Sequence, residues 1–190
     1  VGQPFPGSSV RIAADGEVML KGDHIFSGHW NNPTATAEAI EPDGWFHSGD
    51  IGEIDDRGFV RITGRKKELI VTAAGKNVAP AVLEDRLRAH FLVGQCMVVG
   101  DAQPFIGALI TLDPEALPVW LAQQGLNEST PLSEIVNNEI IQSEIQGAVD
   151  SANKAVSAAE SIKKYTILET DWTEEGGQMT PSLKLKRNVV

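Results

Sequence analysis

Asp50 and Arg65 are the residues around which chemistry could be organised. Asp50 ends the run Trp45-Phe46-His47-Ser48-Gly49-Asp50, and Arg65 lies within Gly64-Arg65-Lys66-Lys67-Glu68-Leu69-Ile70. One β-type run delivers the carboxylate, and a second, Gly58 to Thr63, delivers the guanidinium beside it. A carboxylate next to a glycine can accept two hydrogen bonds from a vicinal diol such as a ribose. The alternative is a turn aspartate capping local N–H groups, which spacing alone favours. Arg65 could add a fork of donors for hydroxyl or phosphate oxygens; otherwise it is a surface arginine paired with Asp50 or Glu68. Lys67 stands at an element end, where hinge residues lie, although a solvated lysine is the plainer reading. Gly75 could let a ligand chain pass close to the backbone, or simply serve a turn. Lys184 follows a flexible stretch and could neutralise charge developing on a phosphate and a carboxylate at once. Its alternative is an exposed basic tail with Lys186 and Arg187. His47, Trp45 and His90 read as a loop imidazole, a core or rim aromatic, and a helix-end histidine. The chain has no zinc-type Cys/His spacing, no Ser-His-Asp signature and no phosphate-binding P-loop.

The elements that must position these groups change character along the chain. Val10 to Ile12 and Glu17 to Lys21 flank Asp15-Gly16, a hairpin pattern. Phe26 and Trp30 are expected to anchor a core. Asn32 and Pro33 predict a short helix, with Asn32 at the N-cap and Pro33 at the first helical position. A second hairpin is expected about Asp55-Asp56-Arg57-Gly58, so the chain up to the pivot is mainly β, a barrel-like piece completing something larger. Beyond it, Leu69 to Thr72 is a short apolar run and Ala73 to Asn77 a loop. Pro80 opens a helix with Leu83, Leu87 and Phe91 on one stripe. Gln95 to Val99 and Ile106 to Leu112 are expected as central strands covered by helices. A helix from Pro114 to Gln124 is closed by Gly125, and a longer one from Asn138 to Val156 buries Ile141, Ile145 and Val149. Tyr165 to Leu168 is a strand, and Asp171 to Thr180 a mobile loop. The fold class is α+β, divided at residues 1–66 and 67–190.

The 190 residues carry a formal charge of -10, so a nucleic-acid backbone would be repelled. With 42% hydrophobic and 22% charged residues the chain can bury a core. The single cysteine, Cys96, lies in an apolar run and reads as a buried thiol. No stretch is long enough to span a bilayer, and a cytoplasmic location, with peripheral membrane contact allowed, is the expectation. Val1-Gly2-Gln3-Pro4-Phe5-Pro6-Gly7 reads as mid-loop, so the chain is expected to be a piece of a longer protein.

Taken in order, Gly16-Glu17-Val18-Met19-Leu20-Lys21-Gly22, Gly28-His29-Trp30-Asn31-Asn32-Pro33 with Thr36, Gly44 to Asp50, Gly64 to Ile70 and Gly75-Lys76-Asn77-Val78-Ala79-Pro80 form a specific series. It resembles the later core motifs of adenylate-forming enzymes, the superfamily of acyl-CoA synthetases, firefly luciferase and peptide-synthetase adenylation domains. The resemblance covers essentially the whole chain and is nearest to bacterial long-chain fatty acid–CoA ligases. Lys67 stands where many relatives have aspartate, Ser48 replaces threonine, and Leu183 occupies a position that other branches give to glycine.

The resemblance implies a β-rich end piece of the large AMP-binding domain over residues 1–66 and a small mobile lid domain over 67–190. It implies that Asp50 and Arg65 hold the ribose of ATP or AMP, that Lys67 is the hinge, and that Lys184 is catalytic, with Lys186 as the alternative register. The loop at Gly75 and Lys76 would reach the thioester-forming side, where coenzyme A enters. The implied substrates are fatty acid, ATP and CoA. Magnesium, the phosphate-gripping loop and the acyl tunnel belong to the part of the family that precedes Val1. The chain alone is therefore expected to be inactive. Two other readings stand beside this one: a ligase that delivers acyl-AMP to a carrier protein, and a non-catalytic binding or regulatory module with the same fold.

Overall fold

The computed structural model describes residues 1–190. The chain divides into two compact units, Val1–Leu69 and Ile70–Val190.

In the first unit β1 (Ser8–Ile12) and β2 (Glu17–Gly22) pair antiparallel, from Ser8 opposite Gly22 to Ile12 opposite Val18. Helix α1 (Pro33–Ala39) starts where Asn32 accepts a 3.0 Å hydrogen bond from the Ala35 N–H. That bond satisfies one of the donors every helix start leaves over. Strands β3 (Phe46–Ile54) and β4 (Val60–Arg65) are joined by a turn in which Asp55 Oδ1 accepts from Arg57 N–H and Phe59 N–H at 3.0 and 2.8 Å. The order β1-β2-β3-β4 is an open sheet. Gly2, not β1, bridges β4 at Val60, so the sheet does not close on itself within these residues. Phe26 and Trp30 are not core anchors either, at 41% and 92% exposure. Both lie in the loop before α1, and α1 buries no residue of its own, so no second layer of this unit covers them. Phe26 instead meets His29 and Phe46 edge-on, with ring centroids 5.0 and 5.6 Å apart.

The second unit opens with a short hairpin, β5 (Ile70–Val71) and β6 (Asn77–Val78), where the sequence suggested only an apolar run and a loop. Helix α2 (Pro80–Arg88) buries Leu83 and Leu87 completely, each such burial contributing about 1.5–3 kcal/mol. Phe91 leaves the expected stripe and is 55% exposed. The helix ends at Arg88, so the period of four has no helix left to carry it, and Phe91 stacks on His90. Strand β7 (Val93–Val99) runs antiparallel to β8 (Ile106–Leu112), and β9 (Ile162–Ile167) runs parallel to β8. The order β7-β8-β9 makes β8 central and β7 an edge, not a second central strand. The crossover to β9 contains α3 (Ala116–Gln123), α4 (Leu132–Ile135) and α5 (Glu139–Asn153). Pro118 is the third residue of α3, where a missing N–H costs no intrahelical bond. Helix α5 is capped by Asn138 and buries Ile141, Ile145, Ala148, Val149 and Ala152.

Period-two alternation gives this sheet two covered faces. Cys96, Val98, Ala108 and Ile110 join Leu83, Leu87 and the α5 stripe in the main core. Met97, Val99 and Leu109 face a second cluster with Trp172, Met179 and Leu185. The segment expected as a mobile loop is therefore pinned near both ends, by Trp172 and Met179. No helix is long and apolar enough to cross a membrane.

Burial, with the Glu84 carboxylate nearby, pushes the Cys96 thiol up to about 12. At pH 8 Cys96 is expected to react with a thiol reagent only as fast as the unit opens, at least about a hundredfold slower than in denaturant. A labelling time course with and without denaturant checks this.

Candidate active site

Asp50 and Arg65 face each other in the β3–β4 register. Arg65 Nε lies 3.0 Å from Asp50 Oδ1, with side chains 60% and 29% exposed. The carboxylate is thus oriented by one charge-assisted bond and keeps unused acceptor positions toward solvent. The residues before it are shaped to hold it. Gly49 adopts φ +73, a left-handed conformation that side chains disfavour. Ser48 Oγ donates to Val18 O at 2.6 Å and accepts from the Asp50 N–H at 3.1 Å. The hydroxyl that replaces threonine is therefore in use. An open cavity of about 970 Å³ adjoins the pair, lined by Ser48, Gly49, Arg65 and Lys67 among others.

Beneath it lies a charged hub that the sequence reading overlooked. The Glu17 side chain is 3% exposed, and Lys66 Nζ is 2.8 Å from its Oε2. His47 Nδ1 is 3.0 Å from the same oxygen, and the Gly49 N–H donates to Oε1 at 2.9 Å. Burial pushes the Glu17 carboxyl up, but the bonds from Lys66, His47 and Gly49 outweigh it and hold it below its ordinary value. Lys66 also reaches Asp15 at 2.6 Å. The bond to Asp15, then that to Glu17, raises the ammonium above its ordinary value. His47 is consequently not a loop imidazole. It sits on β3 between Glu17 and Glu41, 3.4 Å from the latter. Trp45 is a rim aromatic, with the Arg11 guanidinium 4.3 Å above its ring.

Lys67 is exposed in the 3-10 turn Lys66–Glu68. In the second unit Gly75 has φ +76 and open space where a Cβ would stand, so its turn requires a glycine and close packing does not. Lys76 Nζ is 3.1 Å from Glu160. Burial raises the Glu160 carboxyl, and bonds from Ser157 and Lys76 bring it below its ordinary value. The same turn is braced by Val71 N–H to Asp101 Oδ1 at 3.0 Å and Ala73 N–H to Gln103 O at 2.9 Å.

Lys184 is exposed on a tight turn. Thr180 N–H donates to Lys184 O at 2.8 Å, and Lys184 N–H to Thr180 Oγ1 at 3.0 Å. Leu183, at the position that other branches give to glycine, has φ +57. A leucine in that conformation costs about 1–2 kcal/mol. Lys184 ends this turn and Lys186 lies beyond it. Arg187 departs from the exposed-tail reading, since its guanidinium bonds to the Glu84 carboxylate, which is 4% exposed. His90 lies two residues past the end of α2 and pairs with Glu144 at 3.2 Å.

Asp50 and Arg65 are brought together; Gly75 and Lys76 share one turn; Lys184 stands alone on another. The partners missed from sequence are Glu17 with Lys66, Lys76 with Glu160, and Glu84 with Arg187. Only Glu17 left a signal, a carboxylate between a glycine and the apolar run Val18-Met19-Leu20.

Residues 67–190 match the family model described as AMP-binding enzyme C-terminal domain. Over 190 residues, all of this chain, it is 55% identical to the long-chain-fatty-acid–CoA ligase FadD15 of Mycobacterium tuberculosis, of which it covers 32%. It is 41% identical to the long-chain-fatty-acid–CoA ligase ACSBG2 of Gallus gallus, with 92% of this chain and 25% of that protein aligned. Among solved structures it resembles an ATP-bound RpMatB–BxBclM chimera with a TM-score of 0.67 and 26% identity, over 100% of this chain and 35% of the other. The chain thus spans about a third or less of the curated relatives it matches. It belongs to the adenylate-forming enzymes, through a match to their AMP-binding C-terminal domain over residues 67–190.

Proposed function

We propose that these residues are the C-terminal part of an ATP-dependent, AMP-forming long-chain fatty acid–CoA ligase. The reading rests on the 55% identity along the whole chain to a ligase of that name. In the first half-reaction a fatty carboxylate attacks the α-phosphorus of ATP, forming acyl-AMP and releasing pyrophosphate. In the second, the thiol of CoA attacks the acyl carbon, the acyl–phosphate bond breaks and AMP leaves.

Residues 1–66 are the end of the large nucleotide-binding domain and 67–190 the small lid domain, with Lys67 as the hinge. Asp50, held by Arg65, accepts the ribose hydroxyls. Lys184 places its ammonium against the charge that develops as the carboxylate meets the phosphate. Gly75 and Lys76 serve the CoA side in the second half-reaction. The left-handed Leu183 turn supports Lys184 over Lys186 as the catalytic lysine, since that geometry suits a glycine of the related branches. The magnesium that accompanies ATP takes its ligands from the rest of the ligase in this reading, since no group of three or more His, Cys, Asp or Glu side chains that could hold a metal converges in this chain. Besides its small-molecule substrates, the partner is the rest of the ligase, and the location is cytoplasmic.

The test is acyl-CoA formation by the full-length ligase from a long-chain fatty acid, ATP and CoA. The expected products are acyl-CoA, AMP and pyrophosphate. Asp50→Ala should raise KM for ATP about tenfold or more and leave KM for the fatty acid alone. Residues 1–190 by themselves should form no acyl-CoA, because Asp50, Arg65 and Lys184 supply only part of the charge stabilisation that phosphoryl chemistry needs. Absence of pyrophosphate release by the full-length protein, or turnover by the 190-residue chain, would overturn the proposal.

A further inference from the structure

The segment carrying Lys184 is held to its unit by unlike contacts. Leu185 packs into the cluster with Met97, Trp172 and Met179 on the sheet face opposite the helices. The Lys186 N–H donates to Gln178 O at 2.8 Å. Arg187 then bonds to Glu84, on α2, which covers the other face. The meeting point is the outer edge of β7. Val98, on that edge, donates its N–H to Glu84 Oε1 at 2.7 Å, while Oε2 receives Arg187. One buried carboxylate therefore satisfies a donor on the open strand edge and grips the terminal segment. Apolar contact on the sheet face tolerates sliding, whereas a charge-assisted bond to a buried carboxylate fixes direction. Lys184 lies three residues before Arg187, about 10 Å along an extended chain, so the grip sets where the lysine can reach. Helix α2 begins two residues after β6, the short strand that follows the turn holding Gly75 and Lys76. The same helix thus mounts both groups assigned to the two half-reactions.

Resting on the ligase reading above, we propose that Arg187, clamped by Glu84 at the β7 edge, is a positioning residue for Lys184 and acts in adenylation only. Breaking the pair from one side strands a buried charge and destabilises the unit. The informative variant is therefore the double substitution Glu84→Gln with Arg187→Met. It removes both charges, keeps an acceptor for the Val98 N–H, and retains a long apolar stem.

In the full-length ligase this variant should melt within a few degrees of wild type. Fatty acid-dependent ATP–pyrophosphate exchange should fall about 10- to 100-fold, the loss that slight misplacement of a reacting group brings. Thioester formation from supplied acyl-AMP and CoA should stay within about twofold of wild type, because Lys184 has no part in that step. Arg187→Lys should recover part of the exchange rate. A general structural role would lower both half-reactions together, and that result overturns the inference. So does unchanged pyrophosphate exchange in a folded double variant. If Lys184→Ala also leaves exchange unchanged, the ligase assignment of Lys184 fails instead, and the two failures are told apart.

Discussion

If Lys184 has the adenylation role proposed above, Lys184→Ala in the full-length protein is expected to lower fatty acid-dependent ATP–pyrophosphate exchange by about 10²- to 10³-fold, the usual effect of removing one preorganised charge from a developing transition state. The substitution leaves the fold alone. Lys184 is exposed and forms no ion pair, and its turn is closed by backbone groups and the Thr180 hydroxyl. Thioester formation from acyl-AMP and CoA is expected to stay near the wild-type rate, because in the proposed reading the small domain has turned about Lys67 and Lys184 no longer faces the phosphate. Lys186→Ala costs exchange less than about tenfold by the same reasoning. The reverse ranking would move the catalytic role to Lys186, and equal loss in both half-reactions would make Lys184 a structural residue. Measuring the half-reactions separately is essential, because overall turnover cannot tell these outcomes apart.

The second large effect concerns stability. Glu17→Ala lowers the opening free energy of β2 and β3 by about 2–3 kcal/mol, as expected when a buried acceptor of charged and backbone donors is removed. It leaves the Gly49 N–H without its acceptor and takes from Lys66 and His47 the carboxylate they share. Lys66 retains Asp15 and solvent, which keeps the loss below that of a fully enclosed pair. Glu17→Gln preserves an acceptor for Gly49 and should cost about half as much. Native-state hydrogen exchange reads the effect locally, with β8 amides in the other unit unchanged.

The pH dependence has a definite sign. The Glu17 carboxyl is lowered from 4.5, so its contribution is present above that value and is lost as pH falls through the depressed folded value. Lys66 is raised from 10.5, so its contribution is complete below 10.5 and is lost as pH rises through the elevated one. The hub is therefore expected to hold unchanged across the neutral range, with β2–β3 protection falling only below about pH 4.5 or above about pH 10.5. A loss of protection within the neutral range would show that Glu17 and Lys66 do not govern the cluster.

Much of this chain is legible in order of residues because its causes are local. Asp15-Gly16 makes a turn, Asn32-Pro33 starts a helix, and the α5 stripe faces inward for reasons contained within a few neighbouring positions. The pairing of Asp50 with Arg65 was also within reach, because both sit on strands of one hairpin. Phe26, Trp30 and Phe91 failed as core residues because hydrophobic character says nothing about which layer exists to cover it. Likewise the edge position of β7 follows from where β9 joins the sheet, not from the apolar content of β7 itself.

What tertiary structure alone decided is the set of partners that make polar residues useful. Glu17 meets Lys66 across 49 positions, and Glu84 meets Arg187 across 103. No local pattern encodes such pairs, because each side chain satisfies its own helix, strand or tail on other grounds. Their meeting is fixed by sheet order and by which face each element covers. The sequence determined the family, the hairpins and the candidate groups; folding determined that a buried carboxylate stands behind two of the stretches that carry them, Glu17 behind Asp50 and Arg65 and Glu84 behind Lys184.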